Sequence, residues 1–254
     1  MDRFNSDGVE IAYEAVGSGP PVLLIHGFAS NGRVNWVNPG WVDGLTAAGF
    51  RVIVMDNRGH GESEKIYDPA AYPAASMAED ARRLLDHLGI EQAAVMGYSM
   101  GARISAFLTL HHPTRVARVI FAGMAARLMT GVAGSDQIAA ALEAPSLRDV
   151  PDREGRMFRA FAEQTGSDLK ALAACMRSGR ARITADALAA IRVPVLVWAG
   201  DQDEIAGEVG TLTRIIPGAQ GLVLKNRNHM NAVGDARAKQ AVVDFLQDWR
   251  GQRG

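Results

Sequence analysis

A succession of short apolar runs, alternating with longer amphipathic segments, constrains the fold of this chain more than any other feature. Each run is short and rich in β-branched residues, which favours strands buried on both faces. The predicted strands are 22–25, 51–55, 93–96, 116–121, 193–199 and 221–224, preceded by an alternating strand over 9–16. The predicted helices are 41–48, 76–88, 101–111 and 239–249. This order predicts an α/β fold with a doubly wound, mostly parallel sheet.

One stretch interrupts the alternation. Residues 126–184 contain helical patterns at 135–143, 153–165 and 167–178, without a convincing strand among them. A helical insertion between two strands that end at the same sheet edge forms a lid over that edge. We therefore expect a core of residues 1–125 and 185–254, with a helical cap at 126–184.

The segment Gly97-Tyr98-Ser99-Met100-Gly101 has the form Gly-x-Ser-x-Gly and lies between a predicted strand and a predicted helix. A sharp strand-to-helix turn forces its middle residue into a strained backbone conformation, and the flanking glycines remove side chains that would collide there. The serine is then presented at the sheet edge, where the N–H groups of the helix favour a developing oxyanion. The pattern marks Ser99 as a candidate nucleophile.

A serine nucleophile requires a base, and the chain has six histidines. His229 follows the last predicted strand in a polar loop, at the same edge as Ser99 and after it in the chain, so it is the predicted base. We expect His87, His111 and His112 to be solvated at helix surfaces.

Two further motifs precede the elbow: a strand that ends in His26-Gly27-Phe28, and the loop Asp56-Asn57-Arg58-Gly59-His60-Gly61-Glu62-Ser63. The three motifs, in this order, resemble the α/β-hydrolase superfamily over essentially all of the chain outside the insertion. Within it, the chain resembles serine esterases of the haloperoxidase-like type and carbon–carbon bond hydrolases.

The resemblance implies roles for several of these residues. The backbone N–H groups of Phe28 and Met100 are expected to form the oxyanion hole. His26 and His60 are expected to brace loops rather than to bind a metal, because no cluster of cysteine and histidine with zinc spacing accompanies them. Asp56 and Arg58 are likewise expected to hold their loop together.

The resemblance also indicates the acid that orients the base. The turn Gly200-Asp201-Gln202-Asp203-Glu204 follows a predicted strand and stands between the serine and the histidine in chain order. In the family's Gly-x-x-Asp pattern the second aspartate is the triad member, which gives Asp203. Asp201 is expected to stabilise the turn, and Glu204 is the least favoured of the three. A triad of Ser99, Asp203 and His229 would cleave an ester through an acyl-enzyme, without cofactor or metal.

The substrate pocket is expected to lie under the insertion, which would favour small to medium, mainly apolar acyl groups in esters or similar substrates. Asn35 and Trp36 are included because they resemble the substrate-side loop of carbon–carbon bond hydrolases. The expected pocket residues are Asn35, Trp36, Met124, Met129, Phe158 and Met230. The arginines of the insertion, among them Arg177, Arg180 and Arg182, are expected on a solvated surface.

Other functions are weighed against this one. An aspartate in place of Ser99 would indicate dehalogenase or epoxide hydrolase chemistry. A carbon–carbon bond hydrolase of a ring-cleavage diketone stays open, although Tyr98 replaces the asparagine that many of those enzymes have before the serine. A ligand receptor with an intact triad also stays open. A nucleotide-dependent oxidoreductase is disfavoured, because the first parallel strand is not followed by Gly-x-Gly-x-x-Gly.

The composition limits the partners. Lys+Arg 27 against Asp+Glu 28 gives a formal net charge of -1, which provides no basic field for nucleic acid or anionic lipid. The sequence shows no apolar span of membrane length and no secretory signal pattern, so a cytoplasmic location is expected. The single Cys175 cannot form an intrachain disulfide and is expected to fill space in the core. The expected partner is a small-molecule substrate, and the oligomeric state is left open.

Overall fold

The centre of the fold is an eight-stranded sheet, seen in a computed structural model that describes residues 1–130, 134–179 and 181–251. The strands are β1 (Asp2–Ser6), β2 (Val9–Val16), β3 (Pro21–Ile25), β4 (Arg51–Met55), β5 (Ala93–Tyr98), β6 (Val116–Ala122), β7 (Val195–Gly200) and β8 (Gln220–Leu224). They lie in the order β1-β2-β4-β3-β5-β6-β7-β8. Strands β3 to β8 pair in parallel, and β1 and β2 form an antiparallel edge. The predicted mostly parallel sheet is confirmed; β1 is not among the predicted strands.

Helices cover both faces of the sheet, so successive strand residues enter different cores. In β3, Leu23 and Ile25 pack in the core beneath the helices at 74–87 and 100–111, whereas Val22 and Leu24 pack in the core beneath the helices at 41–47 and 236–251. This two-sided burial is the physical reason for the uninterrupted apolar runs. The helices are α1 (Trp41–Ala47), α2 (Ala74–His87), α3 (Met100–His111), α4 (Ser135–Glu143), α5 (Arg153–Gln164), α6 (Leu169–Arg177), α7 (Ala185–Ala189), α8 (Val209–Ile215) and α9 (Ala236–Gly251).

The predicted insertion contains α4, α5 and α6, and its described residues include no strand. Ile138, Leu142 and Leu172 belong to the same hydrophobic cluster as α2 and α3, so these helices pack onto the core. The division into core and cap at the predicted boundaries stays a prediction. Among the arginines, Arg177 of α6 pairs with Glu143 of α4. Arg182 is exposed, and Arg180 lies outside the described residues.

A buried arginine fastens both ends of the insertion to α3. Arg103 is 1% exposed, and its guanidinium donates to the carbonyls of Arg127 (2.7 Å), Leu128 (2.9 Å) and Ala181 (2.8 Å). The fixed fork of a guanidinium suits this task, because it can hold several acceptors at once. The start and the end of the insertion are therefore tied to the helix that follows the candidate nucleophile.

Two glycines allow β3, β5 and α3 to approach closely. A Cβ atom on Gly97 would lie 2.1 Å from the carbonyl oxygen of Gly101, and one on Gly101 would lie 2.0 Å from the carbonyl oxygen of Ile25. Both obstacles are backbone atoms, which cannot turn away as a flexible side chain can. Glycine is thus required at both positions by space.

We expect Gly101→Ala to lower the free energy of unfolding by about 1–3 kcal/mol, the usual range for overpacking. The matched control is Gly44→Ala in α1, where a Cβ atom would meet nothing within 4 Å. Because alanine restricts the unfolded chain and favours the helix, the control should gain roughly 0.5–1 kcal/mol. Urea denaturation measures both, and equal effects in the two variants would contradict the close approach.

Candidate active site

Ser99 lies at the turn between β5 and α3 in a conformation that side chains rarely adopt. Its φ is 54° and its ψ is -113°, and its N–H donates to the carbonyl of Ala122 at 2.8 Å. This strained geometry raises the side chain above the carboxyl edge of the sheet, as the elbow pattern predicts. Because α3 begins at Met100, the partial positive charge of the helix N-terminus faces the same region.

His229, in the loop between β8 and α9, reaches Ser99 from the side. Its Nε2 is 3.0 Å from Oγ of Ser99, and its Nδ1 is 3.0 Å and 2.9 Å from the two carboxylate oxygens of Asp203. The histidine side chain is 13% exposed and that of Asp203 is 0% exposed. With Nδ1 protonated and facing the carboxylate, Nε2 is free of a proton and can accept one from the serine.

The turn after β7 selects Asp203 over its neighbours. Oδ1 of Asp203 also accepts from the N–H groups of Ile205 (3.0 Å) and Ala206 (2.9 Å), which fixes the orientation of the carboxylate. Asp201 instead accepts a 3.4 Å hydrogen bond from the N–H of Arg227. The structure therefore brings together the three residues predicted as a triad and leaves Asp201 at the turn.

The loop after β3 packs directly against the elbow. A Cβ atom on Gly27 would be 3.3 Å from the carbonyl oxygen of Tyr98 and 3.4 Å from Cβ of Ser99, so this loop and the elbow lie within contact distance of each other. Phe28 follows it and lines the same cavity as Ser99, and Met100 is the next residue after Ser99. Their role as oxyanion donors stays a prediction. Sγ of Cys175 lies 3.9 Å from Sδ of Met100 in the core, consistent with its predicted space-filling role.

A cavity of about 200 Å³ opens in front of Ser99. Of the predicted pocket residues, Asn35, Phe158 and Met230 line it. Val34, Val233 and Tyr98 also line the cavity, although the sequence analysis did not predict them as pocket residues. Phe161 follows Phe158 by three residues and Met157 by four in α5, and these spacings place residues on one helix face, which is the signal that identifies this wall. The complete lining is Gly27, Phe28, Ser30, Val34, Asn35, Tyr98, Ser99, Met157, Phe158, Phe161, His229, Met230 and Val233.

The other three predicted pocket residues, Trp36, Met124 and Met129, are not among the residues that line this cavity. Trp36 is fully buried and packs edge-on against Trp41, in the core on the other face of the sheet, because successive residues of the helical segment Arg33–Val37 face different directions. Met124 follows β6 and is buried in the core beneath α3, and Met129 packs against that same core. Apolar character alone does not distinguish a core residue from a pocket residue.

The side-chain amide of Asn35 has one atom in a hydrogen bond to the loop after β3 and one atom without a hydrogen-bond partner among the described residues. Its Oδ1 accepts from the N–H of Gly27 at 3.0 Å, which holds the loop after β3. Its Nδ2 is buried and has no hydrogen-bond partner among the described residues. A donor in that state, at the edge of the cavity, can serve an acceptor atom of a ligand.

The histidines predicted to brace loops make such contacts. Nδ1 of His26 donates to the carbonyl of Gly27 at 2.7 Å, and its Nε2 accepts from the N–H of Asn57 at 2.9 Å. Burial lowers the pKa of His26, which keeps the ring neutral and suits this pairing. Nδ1 of His60 faces the carbonyl of Arg58 at 2.9 Å.

Asp56 and Arg58, in the loop after β4, form hydrogen bonds and an ion pair that hold this loop in place. Asp56 accepts from the N–H groups of Gly32 (2.7 Å) and Glu62 (2.8 Å). Arg58 forms a two-pronged pair with Asp80 of α2, with both distances 2.7 Å. These contacts connect the loop after β4 to its neighbours.

The loop that carries His229 is closed by an ion-pair cluster. Asp235, 5% exposed, accepts from Nε of Arg227 at 2.7 Å and from Nε and Nη2 of Arg237 at 3.0 and 2.8 Å. These hydrogen bonds, first those from Arg237, hold the pKa of Asp235 well below its ordinary value. The carboxylate stays charged and anchors the loop at neutral pH.

The described residues contain neither a candidate metal-binding cluster nor a candidate membrane-spanning helix. Within 1–130, 134–179 and 181–251, no three histidine, cysteine, aspartate or glutamate side chains cluster so as to hold a metal ion. Over the same part of the chain, none of the helices combines the length and apolar character that a bilayer span requires.

Comparison with known proteins identifies similar sequences and folds. The sequence profile of the α/β hydrolase fold matches residues 20–171, more than half of the chain. Epoxide hydrolase 3 of Siraitia grosvenorii is 33% identical over 116 residues, 46% of this chain and 36% of that protein. Non-heme chloroperoxidase CPO-A1 of Kitasatospora aureofaciens is 40% identical over 98 residues, 37% of this chain and 33% of that protein. The chain thus spans about a third of the length of these relatives. A hydrolase from Pseudomonas aeruginosa PA01 has a TM-score of 0.75 and 27% identity, covering 96% of this chain and 97% of its own.

The geometry ranks the two aspartates of the turn. We expect Asp203→Asn to lower kcat on a simple aryl ester by about 10⁴-fold, because an amide facing Nδ1 favours the wrong tautomer of His229. Asp201→Asn is the matched control and should leave kcat nearly unchanged, since its carboxylate accepts a long hydrogen bond from the backbone N–H of Arg227, which an amide oxygen can also accept. The reverse ranking would show that His229 is oriented by the other carboxylate.

Proposed function

We propose that this chain, which belongs to the α/β hydrolase fold family, is a serine hydrolase that cleaves carboxylic esters or similar acyl bonds of small to medium substrates through an acyl-enzyme. The observation that carries the proposal is the continuous contact from Ser99 Oγ through His229 to Asp203, with each link between 2.9 and 3.0 Å. These are the positions that a nucleophile, its base and the group that orients the base must occupy.

The reaction follows from these positions. Oγ of Ser99 attacks the carbonyl carbon while Nε2 of His229 takes the hydroxyl proton, and the N–H groups of Phe28 and Met100 stabilise the negative oxygen. The tetrahedral intermediate expels the alcohol, which receives the proton from His229. A water molecule, deprotonated by the same nitrogen, then attacks the acyl-enzyme and releases the acid. The carboxylate of Asp203 stabilises the imidazolium in both halves.

The two cavities beside His229 support an orientation for the substrate. The cavity in front of Ser99 has largely apolar walls, among them Phe28, Phe158 and Phe161, and about 200 Å³ suits a short acyl group. A second cavity, of about 590 Å³, borders His229 without including Ser99 in its lining. The leaving group must stand near His229 to receive its proton, so we assign this second cavity to the alcohol part. Its polar side chains are Arg127, Arg153, Glu154, Gln202, Glu204 and Asn228.

Epoxide hydrolysis and carbon–carbon bond hydrolysis are the two alternative activities. The similarity to an epoxide hydrolase covers 36% of that protein, and in this chain the elbow has Ser99 where such chemistry would use an aspartate. Hydrolysis of a carbon–carbon bond in a ring-cleavage diketone is the second candidate. It is favoured by the buried, unpartnered Nδ2 of Asn35 at the cavity, which can donate to a polar acyl group. It is disfavoured by Tyr98 before the nucleophile.

The proposal is tested with esters of increasing acyl length and a ring-cleavage diketone. We expect the wild-type chain to favour acetyl and butyryl esters over lauryl esters in kcat/KM, because the cavity before Ser99 is small. Ser99→Ala should lower kcat by roughly 10⁴- to 10⁶-fold. The matched control is Ser105→Ala in α3, which removes a buried hydroxyl that donates to the carbonyl of Gly101 at 2.8 Å.

Three outcomes would contradict the proposal. Full ester turnover by Ser99→Ala would remove the nucleophile from the mechanism. Faster turnover of the diketone than of any ester would favour the carbon–carbon bond hydrolase. Binding of esters by the folded wild-type chain without turnover would indicate a ligand receptor.

A further inference from the structure

Tyr98, the residue before the candidate nucleophile, is a buried titratable group that the catalytic steps do not use. It ends β5 and is 5% exposed. Its ring lies against Trp198 of β7, with 5.7 Å between centroids, and against the ring of His229, with 5.3 Å between centroids. The phenol therefore stands between the sheet and the base.

The ends of neighbouring strands form a tight seat for this ring. Gly123, directly after β6, has a φ of +59°, and a Cβ atom there would come within 2.7 Å of Cζ and 3.0 Å of the hydroxyl oxygen of Tyr98. Trp198 supports the ring from β7. Because the seat has backbone on one side and a fully buried indole on another, the position of the hydroxyl is fixed by packing.

Within the described part of the chain, the Tyr98 hydroxyl makes one hydrogen bond. It donates to the backbone carbonyl of His229 at 2.5 Å. Burial raises the pKa of Tyr98 well above its usual value, and the carboxylate of Asp203 adds to the shift. The phenol accordingly keeps its proton, and remains a donor, throughout the pH range in which a histidine base operates.

The other contacts of the loop act beside His229 rather than on its backbone. Oδ1 of Asn228 accepts from the N–H groups of Met230 and Asn231, and Asp235 binds Arg227. The N–H of Gln202 also donates to the carbonyl of Arg227 at 3.0 Å, which ties the loop to the turn after β7. None of these bonds is made to the main chain of His229 itself. The hydroxyl of Tyr98 is attached to the residue next to the nucleophile, so it connects the two reacting groups through one rigid element.

We propose that Tyr98 is a positioning residue, whose hydroxyl holds the main chain of His229 at the distance from which Nε2 reaches Ser99. The inference rests on the proposed serine mechanism and adds to it a residue that acts through the base. A displacement of about 1 Å in a reacting group can cost about 10²-fold in rate, so one hydrogen bond at this place has a large effect.

The test compares Tyr98→Phe with Tyr13→Phe. The first keeps the ring in its seat and removes only the hydroxyl. The second removes another buried tyrosine hydroxyl that lies 3.1 Å from a histidine nitrogen, Nε2 of His87, in the antiparallel part of the sheet. Melting temperatures of the two variants establish that both are folded and report any general loss of stability.

We expect Tyr98→Phe to lower kcat on a butyryl ester by about 10- to 100-fold while KM stays within about twofold of wild type. The rate at which a small phosphonate labels Ser99 should fall by the same factor, because labelling also needs the base but no particular substrate. Tyr13→Phe should change neither rate. A merely structural role would instead lower the melting temperature without this division between kcat and KM.

The possible failures are distinguishable. Wild-type kcat and labelling rate in Tyr98→Phe would overturn the positioning role and leave the serine mechanism intact. A raised KM with unchanged kcat would overturn it as well, because the hydroxyl would then act on substrate binding. No labelling of Ser99 in the wild-type chain would contradict the serine mechanism and the positioning role together.

Discussion

The close approach of β3, β5 and α3 is the constraint on which the candidate site depends. Gly97 and Gly101 allow backbone to touch backbone there, and the turn between them places Ser99 at φ 54°, a conformation that costs about 1–3 kcal/mol. The sheet and α3 hold that conformation by packing on both sides. The same approach brings the loop after β3 against the serine, so the nucleophile and the predicted oxyanion donors are positioned together.

Hydrogen bonds and ion pairs hold Asp203 and the loop of His229 in position beside Ser99. The carboxylate of Asp203 is removed from solvent, but two backbone N–H groups and the ring of His229 satisfy it. A carboxylate held by such partners is positioned to stabilise the imidazolium that the proposed proton transfer forms. The base itself lies in a loop, which is a less rigid element than a strand. Arg227 with Asp235, and Tyr98 from the sheet, supply the missing rigidity.

The insertion is bound to the same element as the nucleophile. Arg103 lies one turn beyond Ser99 in α3 and holds carbonyls at the start and end of the insertion. The helix that follows the nucleophile thus also supports the residues that wall its cavity. We expect the choice of acyl group to depend on this attachment, because Met157, Phe158 and Phe161 approach the cavity from α5.

The sequence predicts the parts of this arrangement that local chemistry dictates. Strands buried on both faces give continuous apolar runs, and Gly-x-Ser-x-Gly specifies a turn that few other residues can make, so the sheet and Ser99 are identifiable without coordinates. β1 has the sequence Asp-Arg-Phe-Asn-Ser, in which only Phe4 and Ser6 are buried, so it gives no apolar run. The short helices α7 and α8 likewise offer few turns from which a period can be recognised. Pocket lining is harder to predict for a different reason: Asn35 and Trp36 are neighbours in one helical segment, but Asn35 lines the cavity whereas Trp36 packs in the core. Tyr98 shows a similar limit, because its contact with His229 joins residues 131 positions apart.

Detection of the covalent intermediate would test directly whether Ser99 forms an acyl-enzyme. The wild-type chain is mixed with a butyryl aryl ester, quenched in acid within milliseconds, and analysed by intact-mass and peptide mass spectrometry. We expect a mass increase of one butyryl group on the peptide that contains Ser99. The increase should appear at the same rate as the initial burst of alcohol and should be absent in Ser99→Ala. A butyryl group found on another residue, or alcohol released at the full rate by Ser99→Ala, would contradict it.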